Sequence, residues 1–449
     1  MYYMSKFCVS FTVLNQEYYN SIERSLKELS KQDCKITIIS EEKINTPFKN
    51  FVLKNLFINS PPSNDNLDLK IWKNKNLYKA DPRYVNKNKK ITKKLQQNYI
   101  YACRKYFEQN KVDVMFSGAA GYLIWTIPHT VALEFNILSY KLLQTEYLNP
   151  YLKGKRIWFS SNLFWDLKIN QEYQFNYDQS KIEKHIKDLK HSMLVDDFNW
   201  AKKAIELRKN YSPNSIYLII KRMIKIIIKN DHLSKFAIRS ALNSYLNKRL
   251  YIDPKNVNYE YLLYPLNQPN DEQLLVRAPN FQNNIENIRM VAKNLPLNIR
   301  LIVKEHPVNP GMLKPSEIKD LKNEFSNIDF VSPSLPIRPL IKKSLGLFTI
   351  NSTSGIEALI TGKKIVVMGN SYYKYNPMAI KPKATSSLKS SISELKSISE
   401  HDYKSTDEML KMLLNQTYPE PSIYEIDNNN SFFEDALISK INQLKRFKN

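Results

Sequence analysis

The sequence predicts an α/β protein built as two parallel-sheet domains in series, and three observations carry that prediction. Short β-branched runs bounded by turn residues alternate with helix-patterned segments at both ends of the 449-residue chain. An almost wholly helical stretch, residues 165–250, separates the two alternating regions. Only 8 glycines occur, and Gly346, Gly355, Gly362 and Gly369 fall within one strand–helix–strand unit. Where glycine is this scarce, the survivors mark places where backbone must approach closely or take a positive φ.

Taken in order, residues 7–14, 35–39 and 112–116 read as strands, with helices at 18–29 and 92–107 between them. The pattern changes at the Asp-Pro turn in residues 253–258. Beyond it, 261–266, 300–303, 328–331, 346–350 and 364–368 are short strands, with helices at 283–294, 339–343 and 354–361. A Ser-rich stretch follows Pro382, and the chain ends in helical segments near 405–415 and 431–446. The expected organisation is a first domain over 1–255 that includes the helical segment, a second over 256–385, and a C-terminal helical tail over 386–449.

Composition narrows the class. Hydrophobic content of 43% and charged content of 24% exclude a disordered chain and a polytopic membrane protein. No run of about 18 apolar residues is present, and Cys8, Cys34 and Cys103 form neither a disulfide framework nor a zinc pattern. A cytoplasmic protein is expected. The net charge of +24 is concentrated: residues 70–105 carry +11 and residues 201–250 carry +10. Such patches point to an anionic partner. Within 216–229, Lys221, Lys225 and Lys229 oppose a face of isoleucines, a pattern shared by interfacial membrane helices and by core helices with a solvated basic side.

Three segments carry chemistry. The strand at 300–303 runs into Lys304, Glu305, His306 and Pro307, which places a cation and an imidazole at a strand end; a polar strand terminus is the plainer reading. The strand at 346–350 delivers Asn351, Ser352, Thr353, Ser354 and Gly355 into a helix start, where free backbone N–H groups and hydroxyls suit a phosphate. Glu357 there either closes a capping box with Ser354 or accepts hydrogen bonds from ribose hydroxyls. The loop after the first strand of the second domain offers Asp271, Glu272 and Arg277. No D-x-D, P-loop or G-x-G-x-x-G motif occurs, which removes support for metal-held diphosphates, P-loop hydrolysis and dinucleotide redox chemistry.

The strand ending KEHP (304–307), followed about 45 residues later by STSGIEA (352–358), together with YPLNQPNDEQLLVRAP (264–279), resembles bacterial capsule polysaccharide biosynthesis proteins. These look like GT-B glycosyltransferases related to the Kdo transferases of capsule assembly. The resemblance covers roughly 256–385, and VDVMFSGAAG (112–121) suits that family's first domain. It implies two Rossmann-like domains facing across a cleft, with a C-terminal helix packing back on the first. It also implies a nucleotide-activated sugar, for example a CMP-linked acidic sugar, held mainly by the second domain, and a glycan or lipid-linked acceptor held by the first. By the same resemblance His306 and Pro307 meet the nucleotide phosphate beside Lys304. Ser352, Thr353, Ser354 and Gly355 form the phosphate loop, Glu357 is the acidic residue of its helix, and Asp271 or Glu272 is the acid near the acceptor hydroxyl. No cofactor or metal is expected, the basic first domain is expected to dock either on anionic lipid headgroups at the inner face of the membrane or on a charged acceptor, and no specific nucleic acid is expected. Two other readings stand beside this one: a non-hydrolysing sugar-nucleotide epimerase on the same fold, and a basic protein that binds nucleic acid or a membrane surface.

Overall fold

The computed structural model describes residues 6–57, 77–81, 83–84, 89–118, 121–144, 155–160, 179–194, 232–269, 271–307, 309–396, 400–415, 417–420 and 431–448. In chain order the elements are β1 (Phe7–Val13), α1 (Gln16–Ser30), β2 (Cys34–Ser40), β3 (Lys49–Val52), α2 (Lys54–Phe57), α3 (Lys89–Gln109), β4 (Val114–Ser117), α4 (Leu123–Glu134), β5 (Leu138–Gln144), β6 (Lys155–Ser160) and α5 (Gln179–Leu194). There follow α6 (His232–Asn247), β7 (Tyr261–Pro265), α7 (Glu272–Leu275), α8 (Asn284–Asn294), β8 (Arg300–Lys304), α9 (Pro315–Glu324), β9 (Ile328–Val331), α10 (Ile337–Lys343) and β10 (Gly346–Thr349). The last are α11 (Ser354–Ile360), β11 (Ile365–Val367), β12 (Ala379–Ile380), α12 (Leu388–Ser393), α13 (Glu400–Asn415), β13 (Thr417–Glu420) and α14 (Ser431–Lys448).

Two compact units result, one of residues 1–183 and 411–449, the other of residues 184–410. In the first unit the sheet order is β13-β6-β5-β4-β1-β2-β3. Strands β1 to β5 run parallel, and β6 pairs antiparallel with both β5 and β13. Alternate residues of β1 (Phe7, Val9, Phe11, Val13) pack under Tyr19, Ile22, Leu26 and Leu29 of α1. That three-to-four spacing gives α1 one apolar face, and Asn15 starts the helix by accepting the Tyr18 N–H at 2.8 Å. The same core takes in Ala436, Leu437, Ile441 and Leu444, so the C-terminal helix α14 does pack back on the first unit, with Glu434 beside Arg24 at 3.7 Å.

The second sheet is six-stranded and wholly parallel, ordered β12-β11-β10-β7-β8-β9. In order of the unit's own strands this is 6-5-4-1-2-3, the doubly wound Rossmann arrangement. The chain leaves the central β7 toward β8 and β9, then crosses back to β10, so the switch point lies between β7 and β10. Strands buried on both faces explain the uninterrupted apolar runs such as YLLYP and RLIVK.

The boundaries differ from those expected. The first does not fall at 255, because α6 belongs with the second unit: Ser240, Asn243 and Asn247, on one helix face, donate to the carbonyl oxygens of Pro310, Gly311 and Leu313. The tail is shared, with residues up to 410 in the second unit and 411–449 in the first. The amphipathic 216–229 segment and most of the 201–250 charge lie outside the described residues. None of the described helices is long and apolar enough to cross a membrane, and all three cysteines are free thiols.

Candidate functional site

In an open parallel sheet, ligands collect beyond the carboxyl ends of the strands at the switch point. In the second unit three loops leave that edge from adjacent strands β10, β7 and β8. They are tied together. Asn351 Nδ2 donates to the Gln273 carbonyl oxygen at 2.8 Å, bridging the switch point. Asn309 Nδ2 donates to Gln268 Oε1 at 3.1 Å, and the Leu266 N–H to the Lys304 carbonyl oxygen at 2.9 Å. The KEHP, STSG and NDE segments, far apart in sequence, therefore share one edge.

Lys304 is the last residue of β8 and only 3% exposed; its Nζ donates to the Pro333 carbonyl oxygen at 2.8 Å. Burial pulls its pKa down to about 8, with Glu305 and Glu357 opposing. His306 follows at the strand end, half-buried. Glu357, on the first turn and a half of α11, is 8% exposed, and burial raises its pKa to about 7 while Arg338 and Lys304 pull it down. Arg338, at the start of α10, is itself 3% exposed. Two buried cations thus act electrostatically on one buried carboxyl, an arrangement that costs desolvation energy.

The capping-box reading of Glu357 is corrected: the N-cap of α11 is Thr353, without a side-chain cap bond. Among the described residues the Glu357 carboxylate accepts no hydrogen bond, so its acceptor capacity is unspent. Part of the N–H set expected to be free at this helix start is already spent. The Ser352 N–H goes to Thr349 Oγ1, that of Ser354 to Ser352 Oγ, and that of Gly355 to the Ser352 carbonyl oxygen. With α11 only two turns long, little dipole remains, and the buried Lys304 and Arg338 are the stronger attraction for an anion. Ser352 and Ser354 hydroxyls, 3.2 Å apart, stay at the edge as hydrogen-bonding groups.

Gly355 is small for a different reason than phosphate access. A Cβ there would lie 2.5 Å from the Tyr373 ring, whose hydroxyl donates to the Ser352 carbonyl oxygen at 2.5 Å. Asp271 is the N-cap of α7, accepting the Gln273 N–H at 3.2 Å, and burial raises its pKa. Glu272 is paired with Arg277, which also donates to Gln273 Oε1 at 3.0 Å. Of the two acids, Asp271 keeps the freer carboxylate. Arg338 and Tyr373 were missed by sequence reasoning. The signal for Arg338 was a single cation in the apolar stretch LPIRPLI.

The first unit's switch point, between β1 and β4, is furnished differently. Asp81, fully buried, accepts the Leu123 N–H at 2.9 Å, so the start of α4 already holds an anion of its own chain. Arg83 joins Asp81 at 2.7 Å to Glu41 at 2.5 Å, beneath the hydroxyls of Tyr84 and Tyr99. Tyr18 of α1 and Tyr122 meet Trp125 of α4, with ring centroids 5.6 and 4.7 Å apart. This edge is aromatic and its charges are paired, whereas the second unit's edge holds buried cations.

The profile of the capsule polysaccharide biosynthesis proteins matches residues 199–418, a span holding every residue of the cationic edge. Over that span, just under half of its length, the chain is similar to the capsule polysaccharide biosynthesis proteins. Among curated relatives are the capsule polysaccharide export protein KpsS of Escherichia coli, 31% identical over 31% of this chain and 39% of that protein, and the protein FixF of Sinorhizobium fredii, 25% identical over 54% and 57%. The chain thus spans less than two thirds of the curated relatives it matches. Among solved structures it is similar to the KpsC β-Kdo 2,7-transferase of Thermosulfurimonas dismutans, at 14% identity and a TM-score of 0.35 over 76% of this chain and 89% of that one.

Proposed function

We propose that this chain is a GT-B-type glycosyltransferase of capsule or surface polysaccharide assembly, moving a sugar from a nucleotide donor onto a glycan or lipid-linked acceptor without a metal ion. The observation that carries the reading is the buried trio at the second unit's switch point: Lys304 and Arg338, whose charges both act on Glu357, and the Glu357 carboxylate, which accepts no hydrogen bond among the described residues. Cations of this kind stabilise charge on a departing phosphate, and an unspent buried acceptor suits sugar or ribose hydroxyls.

In the transfer, the bond between the anomeric carbon and the donor phosphate oxygen breaks and the phosphate keeps the electron pair. An acceptor hydroxyl oxygen bonds to that carbon and gives up its proton. Lys304 and Arg338 hold the donor's charge, His306 donates a hydrogen bond to the phosphate at the end of β8, and Ser352 and Ser354 hydroxyls orient it. Asp271 takes the acceptor proton. The site of action is the cytoplasmic face of the membrane, reached through basic surface charge. A CMP-linked acidic sugar is the favoured donor.

Calorimetry with CMP, UDP and their sugar conjugates tests the reading. Binding of one nucleotide that is lost in Lys304→Met and weakened in His306→Ala, with the fold retained, supports it; no binding of either nucleotide overturns it. Incubation with a bound donor but no acceptor gives no new sugar nucleotide, whereas an epimer formed without acceptor would make the protein an epimerase.

A further inference from the structure

Between Lys304 and His306 stands Glu305, and the proposed chemistry makes no use of it. It is 1% exposed, and burial raises its pKa against the pull of its partners. A buried carboxylate is costly unless its hydrogen bonds are made, so the identity of its donors is informative. Oε1 accepts the Leu313 backbone N–H at 2.8 Å. Oε2 accepts the Gly311 N–H at 3.0 Å and the Tyr251 hydroxyl at 2.9 Å. The two backbone donors belong to the far end of the loop that begins at His306. Its near end closes on itself, with the Asn309 N–H on the His306 carbonyl oxygen at 3.0 Å.

Helix α6 holds the same segment from the other side. Ser240 Oγ donates to the Pro310 carbonyl oxygen at 2.5 Å, Asn243 Nδ2 to that of Gly311 at 3.2 Å, and Asn247 Nδ2 to that of Leu313 at 2.9 Å. Gly311 takes a φ of +75°, and a Cβ on it would lie 2.1 Å from the Ser240 carbonyl oxygen. At Gly311 and Leu313, then, the N–H groups turn to Glu305 and the carbonyls to α6. Reversing the chain after β8 needs no such arrangement, because Pro307 and Pro310 already forbid a continuing strand. What the double tie adds is a single backbone position for the residue next to the clamp.

We propose that Glu305 is a positioning residue: its clamp on Gly311 and Leu313, seated on α6, sets where His306 stands at the carboxyl edge of the sheet. The proposal rests on reading His306 as a contact of the donor phosphate. Glu305→Gln keeps the size of the side chain but turns a donor amide toward a backbone N–H or the Tyr251 hydroxyl, so the clamp opens.

The test is a double-mutant cycle on the full chain with CMP and UDP as probes, beside NMR of protein carrying labelled histidine. Glu305→Gln is expected to retain the circular dichroism of the native protein, shift or broaden the His306 imidazole signal identified with His306→Gln, and weaken binding of the preferred nucleotide about tenfold. Adding His306→Ala to Glu305→Gln is then expected to cost little more, because a displaced imidazole has little left to lose. Independent, multiplying losses, or an unmoved His306 signal, would overturn the proposal. If Glu305→Gln does not fold, Asn243→Ala loosens the loop from the α6 side, and the same signal and the same coupling decide. An His306→Ala variant that binds nucleotide as the native protein does would sink the phosphate-contact reading; the His306 signal in Glu305→Gln would still judge the clamp.

Discussion

The ring of Tyr373 occupies the space that a side chain on Gly355 would need. A Cβ at Gly355 would sit 2.5 Å from the ring carbon and from the hydroxyl oxygen, and that hydroxyl donates to the Ser352 carbonyl oxygen at 2.5 Å. The glycine therefore lets an aromatic side chain from beyond β11 brace the serine loop from below. Its role is support of the loop's shape, with the loop's hydroxyls left at the edge.

Gly355→Ala is expected to be destabilising by about 1–3 kcal/mol, the usual range for forcing a methyl into a filled space. Because the obstacle is one side chain, Tyr373→Ala in the same protein should return part of that loss. Chemical denaturation midpoints of the two single variants and the double variant measure it. Additive losses would place the strain elsewhere.

Of the four clustered glycines, the sequence alone located the strand–helix–strand unit but not what the glycines avoid. Gly346 faces the Lys364 carbonyl oxygen and Leu395, Gly369 faces Asn351, and Gly362 takes a φ of +80° after α11. The strands of the second unit were legible because residues buried on both faces leave uninterrupted apolar runs; β8 begins at the expected Arg300 and β9 matches 328–331. Strand β5 and helices α4 and α9 were not legible. Helix α4 is apolar on nearly every face, carries Pro128, and so shows no period. The site's far-separated segments KEHP and STSG were legible as strand ends. Arg338 was not, since only the crossing of α10 between β9 and β10 brings it to Glu357.

Asp271 and Glu272 are adjacent in sequence but separable by experiment. Asp271→Asn keeps an N-cap of nearly equal quality, so stability should hold while transfer falls at least about a hundredfold if the carboxylate takes the acceptor proton. Glu272→Gln leaves Arg277 with one partner fewer and is expected to lower stability more than transfer. Radiolabelled sugar transfer and thermal melts on both variants decide; the reverse pattern would move the base to Glu272.

The first unit's charge cluster should respond as a unit. Asp81→Asn leaves Arg83 with Glu41 alone and turns an amide toward the guanidinium, and breaking a buried ion pair on one side costs about 3 kcal/mol or more. Nucleotide affinity should stay within about twofold if the donor is held by the second unit, since the cluster lies in the other sheet. A melt together with nucleotide calorimetry checks both halves of this expectation. A large loss of nucleotide affinity at unchanged stability would place the donor in the first unit.

The pH dependence of stability follows from Glu357 and Lys304. Glu357 titrates near 7 in the folded chain against an ordinary value of 4.5. Between those values the folded state keeps a proton that the unfolded chain has lost, so stability falls as pH rises through that window and is level outside it. Lys304 titrates near 8 against an ordinary 10.5. There the unfolded chain keeps the proton, so stability rises with pH from about 8 to 10.5. The pair therefore contributes least between about pH 7 and 8. A shift of this size corresponds to about 3 kcal/mol per group as an upper figure, since the two are coupled. Denaturation of native protein and Glu357→Gln across pH 4 to 9 isolates the carboxyl: relative to the variant, native protein should lose stability as pH rises from about 4.5 to 7. Arg338→Gln removes a cation that pulls the Glu357 pKa down, and the falling limb should then extend to higher pH. A difference curve that is flat, or that rises across this window, would show that Glu357 is not held in this buried state.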